Sequence, residues 1–415
     1  ARHEVKLMQR SAVLRYGLLG LPLAFGALPI YLFVPDFYSR SALLNLTMLG
    51  WILLGTRLAD AIADPLFGWL IDRVSKPRFL TMALIPFALG FIALFHPHAD
   101  VDPALWLVGS LLACTLGFSA AMIAYQSWGG DLGEYTHVRL RLTGAREGFG
   151  LIGVVLASVL PSLLSEDPLQ GLKLSVWVFM PLLAVAAWVT LRLRTKSIAP
   201  ATAASGFWKS LGEVLGDRVY RRLVGVFVAN GIASAFPATL FVFFVADVLG
   251  AQPMTGMLLG LYFLSAALGV PLWVHLSSSI GRPKAWLWAM LLAIMAFAGA
   301  ASLGTGDWPL FALVCVGSGL AMGADLTIPA SLVADLGEGK GRTASYFGIW
   351  NLIAKFNLAL AAGVALPLLG WFDYAPGQGG NPQVLVMIYV LLPLSLKLCA
   401  MVLLWCWREP LAFKN

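Results

Sequence analysis

The stretch "DLGE" at Asp131–Glu134 returns as "DLGE" at Asp335–Glu338, 204 residues further on. Working outward from each copy, the likeness continues. Pro65 and Pro77 are matched by Pro271 and Pro283, both 206 residues on, and the turn "SKPR" at 75–78 is echoed by "GRPK" at 281–284. A tetrapeptide alone carries little weight. The nearly equal offsets, the same order and the same position in the hydrophobic pattern make it an internal repeat. Two halves of like construction are expected.

The composition says what those halves are built from. Of 415 residues, 59% are hydrophobic and 12% charged, against roughly 25% charged in an ordinary soluble domain. Forty-nine charged side chains are too few to coat a water-soluble fold of this size. The 42 glycines, 23 prolines and 15 tryptophans suit lipid-embedded helices, which tolerate Gly and Pro and end in aromatic belts. A bilayer core of roughly 30 Å takes about 20 apolar residues per helix. On that scale twelve spans are expected, at 14–35, 43–71, 79–97, 103–128, 145–164, 172–192, 221–246, 254–279, 284–303, 308–333, 343–370 and 383–407. Both "DLGE" copies then end the fourth span of their half.

Of the 28 Lys and Arg residues, 23 fall in the termini and the even-to-odd connections, and only Arg40 and Lys173 fall on the other side. Basic loops stay cytoplasmic, so both termini are expected there, in a multi-pass protein of a plasma membrane, a bacterial inner membrane. The basic opening "ARHEVKLMQR" leads into a span too long for a cleavable signal peptide. "SIAPATAASG" at 197–206 reads as a linker. "GFWKSLGEVLGDRVYRRL", which follows, is amphipathic enough to lie along the cytoplasmic surface. The expected organisation is a six-helix bundle over 1–194, a linker with an amphipathic helix over 195–220, and a second six-helix bundle over 221–415.

Three basic residues remain within spans: Arg57, Lys355 and Lys397. Span two, "TRLADAIADPLFGW", puts Arg57, Asp60 and Asp64 at i, i+3 and i+7, on one helical face. A charge near the bilayer centre costs at least about 2.5–3.5 kcal/mol, so this stripe needs a cavity, a partner or a bound cation. Pro65 frees the backbone carbonyl near Ala61 as a further oxygen. Asp60 and Asp64 with such oxygens suit Na⁺, or one carboxyl holds a proton. The plainer alternative is a neutralised Arg–Asp network that joins helices.

"GWLIDRVSKPR" at Gly68–Arg78 resembles the loop motif of the major facilitator transporters, whose two parallel six-helix repeats rock about a midplane site. By that resemblance Asp72 and Arg73 belong to the cytoplasmic gate, where salt bridges present in one state bias a two-state equilibrium. The fold expected is an all-α membrane protein of twelve transmembrane helices in two pseudo-symmetric halves. Arg-x-x-Asp-x-x-x-Asp-Pro in span two, "RLRLTGAR" entering span five and Lys355 in "WNLIAKFN" together resemble the glycoside-pentoside-hexuronide:cation symporters, typified by the melibiose permease. The resemblance implies that Asp60 and Asp64 bind the coupling ion, Na⁺ or H⁺, with Arg57 and Lys355 as ionic partners and no further cofactor. It departs at the sugar site: Pro22 and Met122 stand where the melibiose permease has acids, Gln126 replaces a Trp, and helix five aligns at either Arg146 or Glu147.

Other polar and aromatic residues within spans are candidates for the substrate. Asp325 falls by the 204-residue offset opposite Ala121, beside Met122, so the second half can supply a carboxylate that the first lacks. Asn351 and Lys355 share a face of span eleven beside Trp350, and Tyr125, Gln126 and Trp128 gather near the end of span four. Belt or packing roles compete for these aromatics. Lys397 reads as snorkelling or packing, His137 and His275 as solvated, and the four cysteines as small core hydrophobes. No Walker loop, HExxH or nucleophile elbow is present, and "GFGLIG" lies within a span, so no enzyme activity is expected. The basic residues do not form a groove with interleaved aromatics, which excludes nucleic acid as a partner.

The expected function is cation-coupled symport of a small organic solute, a sugar or glycoside, by a monomer in the lipid bilayer. Two alternatives stand beside it. One is an amphiphile such as a lysophospholipid: the animal lysophosphatidylcholine symporters share this fold and the helix-two acids, and Met122, Phe25 and Phe118 suggest an apolar half-cavity. The other is a membrane scaffold that does not transport.

Overall fold

The computed structural model describes residues 11–40, 44, 46–133, 135–193, 206–372 and 382–411, and the secondary structure among them is helical, without strands. Glu134 of the first repeat copy, the linker residues 195–205 and the terminal basic residues Arg2, Lys6, Arg10 and Lys414 lie outside the described residues. Two compact units are found. The first comprises residues up to 214 together with 333–352; the second comprises 215–332 and 353 onward.

In the first unit the helices are α1 (Gly20–Arg40), α2 (Leu46–Ile71), α3 (Lys76–Phe95), α4 (Pro103–Leu132), α5 (Thr136–Leu164), α6 (Pro168–Leu191) and the short α7 (Phe207–Gly216). The second has α8 (Arg218–Phe243), α9 (Thr255–Ile280), α10 (Arg282–Ala298), most of α11 (Trp308–Gly339), the rest of α12 (Thr343–Trp371), α13 (Pro382–Val386) and α14 (Leu392–Leu411). Ten helices among the described residues are long and apolar enough to cross a membrane. The other two spans expected from the sequence correspond to α2 and α12, 26 and 29 residues long, each of sufficient length to cross. α2 carries Arg57, Asp60 and Asp64.

Short sequence signals set the helix starts. Asp102 and Asp167 each precede a proline at the first helical position, and their side chains accept the otherwise unbonded N–H groups of Ala104, Leu105 and Leu169 at 3.0–3.1 Å. Asp217 does the same for Val219 and Tyr220 at the start of α8.

In lipid, apolar side chains gain little by leaving the solvent, so helices associate through close packing. The first unit packs Phe25, Phe87, Phe91 and Phe179 into one aromatic cluster with ring centroids 4.3–6.4 Å apart. Phe118 joins it through Phe87 at 5.6 Å. Phe25 and Phe118, expected with Met122 to line an apolar half-cavity, both take part in this cluster, where rings on α1, α3, α4 and α6 meet. In the second unit Phe244 stacks on Tyr389 at 4.2 Å, where π-helical turns at Phe244–Val248 and Met387–Leu391 interrupt the regular helix.

The segment 333–352, placed by sequence in the second half, packs within the first unit. Gly68 of α2 meets the backbone of Ala344, and Gly348 approaches the carbonyl oxygen of Asp64 so closely that a Cβ there would lie 2.5 Å from it. Two glycines facing each other let the backbones touch. The amphipathic α7 docks on the same unit through Phe207 against Trp69 and an ion pair from Glu213 to Arg342. The cysteines divide: Cys114 and Cys315 are buried, whereas Cys399 and Cys406 are exposed on α14. The expectation that all four lie in the core fails for the last two because an apolar residue on a membrane helix can face lipid as well as protein.

Candidate functional site

Asp60 and Asp64 sit one turn apart on α2, with 3% and 0% of their surfaces exposed. The Ser119 hydroxyl of α4 donates to Asp60 Oδ1 at 2.5 Å. Pro65, inside the helix, has no N–H to give the carbonyl of Ala61, so a main-chain oxygen is released one turn back from it. Two carboxylates, a hydroxyl and a carbonyl are all hard oxygen donors. Arg57 stands on an exposed part of the helix, unlike the two acids that share its sequence stripe. Among the described residues no group of three or more His, Cys, Asp and Glu gathers as a metal cluster would require. Lys355 belongs to the second unit, and Trp350 and Asn351 to the first.

The loop between α2 and α3 builds a second constellation. Asp72 Oδ1 accepts the N–H of Ala344 at 2.9 Å, and its Oδ2 accepts the N–H and the hydroxyl of Ser345 at 2.8 and 2.6 Å. The carboxylate thereby caps the first turn of α12, where unbonded N–H groups and the helix dipole favour an anion. Burial pushes its carboxyl pKa up, opposed by the Lys76 charge and by these hydrogen bonds. Arg73 instead stacks on the Trp69 ring at 3.9 Å and donates to the Trp69 carbonyl at 2.7 Å. The two gate candidates, adjacent in sequence, thus engage different elements.

The repeated aspartates complete that end of the unit. Asp131 accepts from Lys76 at 2.5 Å and from Thr343 at 3.3 Å. Asp335 accepts from Arg139 at 2.8 Å and Thr136 at 3.3 Å, and the second arm of Arg139 reaches Glu338 at 2.9 Å. Thr343 follows Arg139 by the same 204 residues that separate the two aspartates. The repeat is therefore visible in the contacts as well as in the letters.

The remaining candidates separate into packed and paired groups. Tyr125 donates to the carbonyl of Tyr16 while the Tyr16 hydroxyl donates back to the carbonyl of Tyr125 at 2.8 Å. Trp128 is buried edge-on to Tyr16 at 6.3 Å, so both side chains tie α4 to the chain entering α1. Gln126 accepts from Asn351 at 3.0 Å. Arg146 donates to its sequence neighbour Glu147 at 2.6 and 3.1 Å, so both alternatives for helix five belong to one ion pair.

Asp325 is in the second unit, where it accepts from the Trp286 indole at 2.7 Å and from Lys397 at 2.9 Å. Lys397, expected to snorkel or pack, is its ionic partner. One Asp and two Lys residues within the expected spans of that half, Asp325 with Lys355 and Lys397, were the available signal. His137 and His275 are exposed.

The fold and these sites define a major facilitator transporter. The chain matches the family described as "MFS/sugar transport protein" over residues 12–408, and it belongs to that family. An uncharacterized symporter of Synechocystis is 20% identical, over 79% of this chain and 80% of its own. The sodium-dependent lysophosphatidylcholine symporter 1-B of Danio rerio is 21% identical, over 94% and 85%. The crystal structure of the E. coli fucose:proton symporter superposes with a TM-score of 0.73 at 14% identity, covering 96% of this chain and 98% of that one. A bacterial homologue of the iron transporter ferroportin gives 0.71 at 16%, covering 96% and 99%. The protein is a multi-pass membrane transporter of a symporter family, with a small-molecule substrate, and not an enzyme.

Proposed function

We propose that the protein is a cation-coupled symporter, taking Na⁺ or H⁺ at Asp60 and Asp64. The observation that carries this reading is the burial of two carboxylates on consecutive turns of a membrane helix, beside the Ser119 hydroxyl. Two buried negative charges raise the energy of the ion-free state, and a bound cation relieves it. Na⁺ takes carboxylate, hydroxyl and carbonyl oxygen together, whereas a proton needs only one carboxylate.

The hydrogen bonds of Asp72 to α12 and of Arg139 to Asp335 hold segment 333–352 to the first unit. Both ends of that segment continue into the second unit. Alternating access requires these bonds to break and re-form, so Asp72, Asp131, Arg139 and Asp335 act as the gate, with the termini and this gate on the cytoplasmic side of a bacterial inner membrane.

The solute is a sugar or glycoside by the family description, or an amphiphile by the name of the Danio rerio relative. Pro22 and Met122, without acceptors for sugar hydroxyls, favour the second. Purified protein is expected to unfold at higher temperature in Na⁺, Li⁺ or acid, since a ligand at about 100 times its Kd stabilises by about 2.7 kcal/mol. Asp60→Asn and Asp64→Asn should each remove that response and the ion dependence of uptake. Uptake indifferent to Na⁺, Li⁺ and pH gradients would overturn the coupling. Uptake of labelled sugar or of labelled lysolipid into proteoliposomes decides between the solutes.

A further inference from the structure

The second unit encloses a cavity of about 180 Å³ that the proposed coupling site does not use. Tyr262, Phe263 and Phe297 give it aromatic walls, and Asp325, Lys397 and Ser234 place polar groups in its lining. A mostly apolar pocket with a few converging polar groups is the usual form of a small-molecule site. By the 204-residue offset the first half has Ala121 where Asp325 stands, so the carboxylate is particular to this half.

The two charges are held very differently. Asp325 is fixed on a short side chain by the Trp286 indole at 2.7 Å. Lys397 ends a flexible four-carbon stem, and beyond Asp325 at 2.9 Å its ammonium has Ser234 Oγ at 3.4 Å, past the usual range of a good hydrogen bond. The carboxylate is the fixed member and the ammonium the movable one.

We propose that this cavity binds an organic amine, a protonated primary ammonium on an aliphatic or aromatic body, with that ammonium on Asp325 in the place Lys397 occupies in this structure. The exchange keeps the carboxylate paired, which a buried charge requires, and Lys397, with 11% of its side chain exposed, must carry its own charge toward water on its stem. Lys397 swings aside on its stem, and the aromatic walls hold the body of the ligand and face its charge. A ligand carboxylate in the same place would lie against Asp325 and be repelled. The proposal does not rest on ion coupling at Asp60 and Asp64, which belong to the other unit.

The test measures binding of phenethylamine to the purified full-length protein in Na⁺-free buffer at neutral pH, by calorimetry and thermal unfolding, beside 2-phenylethanol and 3-phenylpropanoate. The amine should bind at least about tenfold more tightly than either, as expected for a hydrogen bond to a charged group. Asp325→Asn should abolish that preference. Lys397→Met, which removes the competing ammonium, should tighten amine binding by about tenfold or more, and the amine should raise its unfolding temperature further than that of the wild type. Should Lys397→Met not fold, Trp286→Phe provides the second variant: it loosens Asp325 and should weaken amine binding alone. Equal binding of the three probes, no saturable amine binding, or full amine affinity in Asp325→Asn would overturn the proposal. So would binding of 3-phenylpropanoate that depends on Lys397.

Discussion

Replacing Asp72 by Asn tests the proposed gate at one side chain. The amide keeps one acceptor oxygen where the carboxylate has two, and it loses the charge that faces the first turn of α12. The N–H groups of Ala344 and Ser345 lie in that turn and have no intrahelical partner, so Asp72 is what satisfies them. Loss of a cap costs about 1 kcal/mol, and loss of a partly buried anion from a helix N-terminus up to about 2. Against this, Asn escapes the desolvation that pushes the Asp72 pKa up. Since that pKa is raised, the charge itself gives no net gain in this state, and the net loss is that of the cap acceptor, about 1 kcal/mol, roughly a fivefold shift toward the state with these bonds open.

Amide hydrogen exchange over 343–350, read by mass spectrometry on the solubilised protein, should quicken by about fivefold at residues 344 and 345. Exchange in α9 should stay as it is. Unchanged exchange at 344 and 345, or equal quickening in every helix, would refute the assignment. The pH dependence has a definite sign. Because burial raises the pKa of Asp72 above its ordinary value in this structure, the proposed closed state binds the proton more readily than one in which the carboxyl is solvated. The contribution of this group to closure is therefore full below the ordinary carboxylate pKa and is lost as pH rises through the raised one. In Asp72→Asn this dependence should vanish.

Three further outcomes follow from the same contacts. Arg139→Ala removes both arms that reach Asp335 and Glu338 and should lower stability by about 3 kcal/mol in thermal unfolding; Arg139→Lys, lacking the planar fork, should recover only part of it. Gly68→Leu drives a side chain into the backbone of Ala344 and should cost at least about 1–3 kcal/mol by the same measurement, whereas Gly109→Leu, where a Cβ meets nothing within 4 Å, should be nearly neutral. In detergent, maleimide should label Cys399 and Cys406 and spare Cys114 and Cys315.

Much of the candidate site was legible in the sequence. Asp60 and Asp64 stand out by type and spacing in an apolar run, because ionised side chains within a membrane span are costly and few. Asp72 was marked by its loop motif, but not its partner: the capping of α12 by a residue 272 positions earlier depends on where that helix begins. Arg146 and Glu147 were alternatives in one alignment, and the structure pairs them. Tyr125 and Trp128, attractive as substrate platforms, are taken up by Tyr16.

The sequence by itself determined that the chain is a twice-repeated set of membrane helices. Hydrophobic length and charge scarcity are properties of each segment alone, and the repeat is preserved as an offset along the chain. Only the tertiary structure decided that Lys397 reaches Asp325, that segment 333–352 packs with the first unit, and that Cys399 and Cys406 face outward while Cys114 does not. These depend on the rotation of each helix about its axis and on its vertical register against its neighbours. When nearly every face of a helix is apolar, hydrophobic periodicity fixes neither of the two, and close backbone contacts and a few buried polar pairs set both.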